Sequence, residues 1–262
     1  MVTRDSLKQN IMRNVTIRAI YDGVISIESF LEKEKEYFYS VFKRTFSRQD
    51  EISYNFLLKL QHIYGLVSNK EDLEKQNTQL YKNDDYEGNE ISLVINKYYL
   101  SLDIKCNNYK TIDPYLIILF EILLRLKKHD KLLWIREVGI KKNSSEVYPS
   151  LNELFQDFKK EKMIAGTFSN EMLKNIILQK IMIPKGNIDI SKKIEKGNRI
   201  GENNQREEAY RVQFDFDGEI NDLDDMPFEE LEKETNKLND ELFNIFIENV
   251  TPEFIKVYGK GE

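Results

Sequence analysis

Cysteine, histidine and proline are scarce in this chain. Among 262 residues there is one cysteine, Cys106, with two histidines and five prolines. A lone thiol excludes an internal disulfide framework and fits a reducing compartment. Cys106 falls on the apolar parity of a strand, the place of a buried, inert thiol rather than a nucleophile. His62 and His129 stand in unrelated contexts. Neither an H-E-x-x-H motif nor paired cysteines are present, so a transition-metal centre lacks its ligands. A catalytic triad lacks its histidine and its G-x-S-x-G elbow. The phosphate-cradling patterns G-x-x-x-x-G-K-[ST] and G-x-G-x-x-G are missing too. No cofactor is implied.

Long hydrophobic runs are also lacking. The longest, Tyr115 to Leu126, is broken by Glu121 and Arg125 and is too short to span a bilayer. Met1 to Asn14 is polar and has no apolar signal core. These features predict a cytoplasmic protein without a membrane partner. A basic excess is missing as well: 39 basic residues face 45 acidic ones, for a net charge of −6. That balance argues against a dedicated nucleic-acid binder.

What is present is material for a core, since 40% of the residues are hydrophobic and 11% aromatic. The alternation from Arg13 to Ile25 predicts a strand. Spacings of three and four from Ile27 to Phe46 predict an amphipathic helix with Ser26 at its N-cap. Ile52 to Leu66 reads as an irregular strand, and Thr78 to Lys82 as another. Glu90 to Cys106 alternates most cleanly, and its parity changes at Asn96-Lys97, the mark of a hairpin. Asp113-Pro114 opens a helix running to Lys128, apolar nearly all round, with the Asp113 side chain as its expected cap. Leu132 to Lys141 reads as a strand and Leu151 to Lys162 as a short helix. Met172 to Ile183 is apolar on both parities and is expected to be a central strand. Lys185 to Glu207 reads as a long hairpin or mobile loop. Tyr210 to Phe216 alternates, and a long helix follows Pro227.

This order predicts an α+β fold with mainly antiparallel strands packed against long amphipathic helices. Two similar sheet–helix halves, residues 1–143 and 144–262, in one compact unit would accommodate it.

The stretch Leu238-Asn239-Asp240-Glu241-Leu242, then Phe246, then Val250-Thr251-Pro252-Glu253, carries a resemblance. It resembles the ending of a sporadically distributed family of uncharacterised bacterial proteins, whose last helix reads L-H-[DE]-x-[IL]-x-x-x-F-x-x-x-[IV]-T. An alternating strand with an aspartate pair precedes that helix in the family, as Phe214-Asp215-Phe216-Asp217 does here. A mid-chain strand R-[IV]-G-[LI]-[RK]-Y-x-N is echoed by Arg136, Val138-Gly139-Ile140-Lys141 and Asn143, and Tyr109 matches an upstream tyrosine. The chain departs from the pattern at Asn239, where the family has histidine, at Lys142, where it has tyrosine, and in the arginine, shifted by one place. The resemblance implies a subunit of a bacterial multi-protein system of the phage-defence kind.

Two clusters are candidate sites. Asp215 and Asp217 project from one strand face about 7 Å apart. Hard cations seek such carboxylates, as in a metal-dependent nuclease. Lys180, Lys185, Lys192, Lys193, Lys196, Arg199 and Arg206 could track a phosphate backbone, although no aromatic stacker accompanies them. Tyr98, Tyr99, Trp134 and Tyr148 are candidate walls for a small-ligand sensor, against their plainer use as core. Arg136 and Lys141 have opposite parity, so a salt bridge is the simpler role for Arg136. The expectation that fits most features is a non-enzymatic binding or scaffold subunit, with protein partners encoded nearby or a homo-oligomer. A nucleic-acid binder or nuclease and a ligand sensor are the alternatives.

Overall fold

The computed structural model describes residues 12–24, 26–47, 78–164, 178–185, 187–200, 204–221, 223 and 226–258. The first half runs β1 (Met12–Tyr21), α1 (Ile27–Lys33), α2 (Lys35–Val41), β2 (Arg44–Ser47), β3 (Gln79–Tyr86), β4 (Asn89–Ile95), β5 (Tyr99–Lys105) and α3 (Asp113–His129). The second runs β6 (Ile135–Tyr148), α4 (Leu151–Asp157), α5 (Lys160–Met163), β7 (Leu178–Lys185), β8 (Ile188–Ile200), β9 (Arg206–Asn221), α6 (Phe228–Asn249) and α7 (Pro252–Tyr258). Each half is a strand, two short helices, an antiparallel meander and a long helix. All described strands join one antiparallel sheet in the order β2-β3-β4-β5-β1-β6-β9-β8-β7. The first strand of each half pairs with the last strand of its own meander, and β1 and β6 pair with each other at the centre. The α+β expectation holds. The half-boundary does not fall at 143, because residue 143 lies inside β6; the change of half is the connection from α3 to β6.

The described helices pack on one face, called inner here. Phe38 of α2 stacks on Tyr81 of β3 at 4.6 Å. The long helix α6 crosses β9 so closely that a Cβ on Gly218 would lie 2.7 Å from Leu238, which excludes any larger residue there without a shift. Under it, Phe158, Phe214, Phe246 and Phe254 form a ring cluster with centroids 5.1–6.0 Å apart. One continuous hydrophobic core joins both halves.

Turn chemistry sets the registers. Glu87 and Gly88 both have positive φ, 52° and 75°, the conformation of a two-residue hairpin loop whose twist matches its strands. At the β4–β5 turn, Asn96 accepts from the backbone N–H groups of Tyr98 and Tyr99, while Tyr21 Oη donates to the Asn96 carbonyl at 2.7 Å.

Several expectations need correction. The helix from Ile27 breaks at Glu34, ends at Val41, and gives way to β2 at Arg44. Ser26 and Asp113 do not cap through their side chains; Ile112 is the N-cap of α3, and Asp113 accepts from Thr111. Helix 151–162 divides at Phe158, which turns extended and bridges Val250. β7 is the terminal strand of the sheet rather than a central one. An apolar run signals burial, whereas hairpin connectivity sets a strand's rank. Of the two readings of 185–207 the hairpin holds: Ile188–Ile200 form β8, which pairs with β9 from Arg206 on, while Lys185 closes β7. The strand expected over 52–66 lies outside the described residues. No helix among the described residues is long and apolar enough to cross a membrane.

Candidate binding face

The opposite, outer face of the sheet carries the polar parity of every central strand. Cross-strand pairing aligns Asp103, Thr16, Lys141, Asp217 and Asp189 in one row across β5, β1, β6, β9 and β8. The next row holds Ser101, Arg18, Gly139 and Glu219. Period-two alternation produces this face: residues flanking Phe214 and Phe216 must point away from the helices.

Arg18 is its hub. Its Nε donates to Glu137 Oε1 at 3.0 Å, one Nη lies 2.9 Å from Asp217 Oδ1, and the other lies 3.4 Å from Glu219 Oε2. Arg18 is 15% exposed and Glu137 fully buried. Burial alone would lower the Arg18 pKa, but the charges of Asp217 and Glu137 outweigh it and raise the guanidinium above its ordinary value. Gly139 makes this reach possible. It sits directly opposite Arg18 in the ladder, and a Cβ there would come within 2.9 Å of Arg18 Nε and 3.0 Å of Cζ. The guanidinium therefore crosses β6 over a residue that has no side chain. Nearby, Thr16 donates to Asp103 at 2.6 Å, and Asn143 Nδ2 donates to Asp215.

Beside this hub, over β3, β4, β5 and β1, the face dips into an open groove of about 450 Å³. Its polar lining includes Thr16, Lys82, Asp84, Glu90, Ser92 and Asp103. Lys105 at its margin is paired with Glu90 at 2.7 Å.

The sequence candidates fare unevenly. Asp215 and Asp217 do share the outer face, yet each is engaged by a protein donor, Asn143 and Arg18 respectively. Among the described residues, no group of three or more His, Cys, Asp or Glu is placed to hold a metal ion. The basic residues do not form one stripe. Lys192 points inward, buried, donating to the Lys162 carbonyl at 3.0 Å and to Asn249 Oδ1 at 2.6 Å; burial, then the neighbouring charge of Lys162, lowers its pKa. Lys193 pairs with Glu195, Lys196 with Glu208 and Arg199 with Glu207. The side chains of Lys180 and Lys185 lie outside the described residues. Strand alternation divides a cluster that is contiguous in sequence between two faces.

The aromatic candidates are not gathered either. The backbones of Tyr98 and Trp134 bond to Tyr21 and Asp22 at one end of β1, Tyr99 is buried, and Tyr148 lies at the far end of β6, bonded to Asp157. Arg136 forms the expected salt bridge, a two-pronged one to Asp22 at 2.8 and 2.9 Å. Cys106 is partly buried, and burial pushes its thiol up to about 12, which keeps it protonated and passive.

Sequence reading missed Arg18 as a hub and Gly139 as its enabling residue. A signal existed: an arginine on the outer parity of a central strand, with a glycine inside a later strand. Only the register shows that the two oppose each other. No protein-family model matches the chain, and no curated protein is similar to it in sequence.

Proposed function

We propose that this protein is a non-enzymatic binding subunit of a multi-protein assembly, and that its outer sheet face receives a basic segment of a protein partner. The observation carrying this reading is the sheet that, among the described residues, is covered on one face only. Helices cover the inner face, while the middle of the outer face presents Asp103, Asp189, Asp215, Asp217 and Glu219 against Arg18, Lys141 and Lys193. Carboxylates outnumber cations there, so the face repels a phosphate backbone and attracts lysine and arginine side chains. The adjoining groove, lined by both signs of charge, suits a polypeptide better than a nucleic acid.

The resemblance to the bacterial family adds phage defence as the setting. At two of the places where this chain departs from that pattern, Asn239 and Lys142, the side chains touch: the buried Lys142 ammonium donates to Asn239 Oδ1.

The test is co-purification with the products of neighbouring genes, reading complex mass and the ultraviolet ratio of nucleic acid to protein. A stoichiometric protein partner, free of nucleic acid and released by the charge reversals Glu90→Lys and Asp103→Lys, is the expected result. Bound nucleic acid, or a partner indifferent to both reversals, overturns the reading.

A further inference from the structure

The two halves of the chain are repeats set about a pseudo-two-fold axis. Ile17 and Ile140 face each other across β1 and β6. Taking each as the other's equivalent carries Asn14, Thr16 and Arg18 onto Glu137, Gly139 and Lys141. The ladders then carry Ser101, Asp103 and Lys105 of β5 onto Asp217, Glu219 and Asn221 of β9. The long helices provide an independent check. The chain spacing from Asp103 to Glu219 also carries Tyr115, Leu119, Ile122, Leu123 and Leu126 of α3 onto Leu231, Thr235, Leu238, Asn239 and Leu242 of α6, and every one of them is buried.

This axis relates two places on the outer face. In the second half, Glu137, Gly139, Glu219 and Asn221 form the pocket that Arg18 fills. Its guanidinium crosses Gly139, bonds Glu137 and reaches Glu219, which accepts from Asn221 Nδ2 at 3.1 Å. Their equivalents in the first half, Asn14, Thr16, Asp103 and Lys105, all line the groove of about 450 Å³. The residue equivalent to Arg18 is Lys141, which is exposed. Thr16 stands where the other half has glycine, so a side chain obstructs the crossing, and its hydroxyl donates to Asp103 at 2.6 Å. One half keeps open the place that the other fills with its own arginine.

We propose that the groove receives the guanidinium of an arginine in the partner's basic segment, seated against Asp103 as Arg18 is seated against Glu219. This deepens the reading of the outer face as the receiver of a basic segment, and rests on it. The filled half shows why the group is a guanidinium: one planar fork serves Glu137 on β6 and Glu219 on β9 together, which a compact ammonium does not. In the groove the corresponding acceptors are the Asn14 amide oxygen on β1 and the Asp103 carboxylate on β5, with Ser92 beside them on β4. Lys105, the like charge nearest in the repeat, is held by Glu90 at 2.7 Å.

Titration of the isolated, isotope-labelled full chain with N-acetyl-arginine amide, read by NMR shifts, tests this without any partner. Shifts are expected to saturate at millimolar probe and to centre on Asn14, Ser92 and Asp103, leaving Asp189 and Asp215 unmoved. N-acetyl-lysine amide is expected to bind about fivefold more weakly. Asp103→Asn, which keeps the shape, is expected to weaken the arginine probe about tenfold. Lys141→Arg with Thr16→Gly rebuilds the filled half in the open one and is expected to abolish probe binding; Asp103→Asn carries the test where that double variant is unstable. The proposal is overturned by absence of saturable binding, by shifts spread evenly over the acidic face, by equal binding of the two probes, or by an affinity unchanged in Asp103→Asn. Such a failure beside a stoichiometric partner that the charge reversals release removes the guanidinium site alone. Probe binding by a chain that captures no protein removes the assembly reading alone.

Discussion

The two faces of the sheet are made by the same strands and held by different physics. On the inner face, rings and aliphatic chains are removed from water, and the few polar groups that enter, such as Lys192 and Lys142, find amide or carbonyl acceptors. On the outer face almost nothing apolar contributes in the middle, and order comes from a guanidinium shared among carboxylates. The inner face is a non-directional store of stability. The outer face specifies geometry, because removing Arg18 takes the facing guanidinium away from the fully buried Glu137. A face that is ordered yet wet is suited to recognition.

The largest effect is expected inside. Phe214→Ala removes a ring that is 1% exposed and packed on Phe158 and Phe246, and should cost about 3–5 kcal/mol in denaturant unfolding. Next comes Arg18→Ala, which removes the guanidinium facing the fully buried Glu137 and should cost about 3 kcal/mol, while the double change Arg18→Met with Glu137→Met should recover most of that. If Arg18→Ala proves as mild as a surface substitution, the contrast between the faces collapses. Gly139→Ala should cost about 1–3 kcal/mol by overpacking the guanidinium, and less when Arg18 is already alanine. Additivity of those two changes would separate Gly139 from the hub.

A smaller effect appears in alkali. Burial pushes Tyr115 from 10.0 up to about 12 and holds Tyr21 well above 10.0. The folded protein keeps these protons where the unfolded chain loses them. Their contribution to stability is therefore full below pH 10 and lost as pH rises from 10 toward 12. Denaturant midpoints across that window, with phenolate absorbance of the folded protein, check the sign; stability rising across it would contradict the assignment. Smallest is Lys193→Gln, which breaks an exposed pair with Glu195 and should change stability by less than about 0.5 kcal/mol.

Much of the fold was legible in the sequence. Alternation over 90–106 and 210–216 gave strands β4, β5 and β9, because one wet and one dry face write a period of two. Proline and aspartate at 113–114 marked where α3 begins, although the capping role went to Ile112. The parity of Asp215 and Asp217 was readable for the same reason as the strand itself. Breaks were less legible. Nothing local distinguishes Glu34 or Phe158 from the helical residues around them; α2 follows directly on Glu34, and Phe158 turns extended to bridge Val250.

Composition and periodicity by themselves determined the fold class, the passive thiol, the lack of metal-ligand and phosphate-cradle motifs, and which residues share a strand face. Tertiary structure alone decided which strands are neighbours, and with them the partners of every charge. Arg18 and Gly139 are far apart in the chain and meet only because β1 pairs with β6 in one register. Lys192 and Lys193 are adjacent in sequence, yet alternation sends Lys192 into the core and Lys193 to the surface. Local pattern is set by short-range sterics and burial, which a linear sequence records. Register and strand order are set by long-range packing, which it does not.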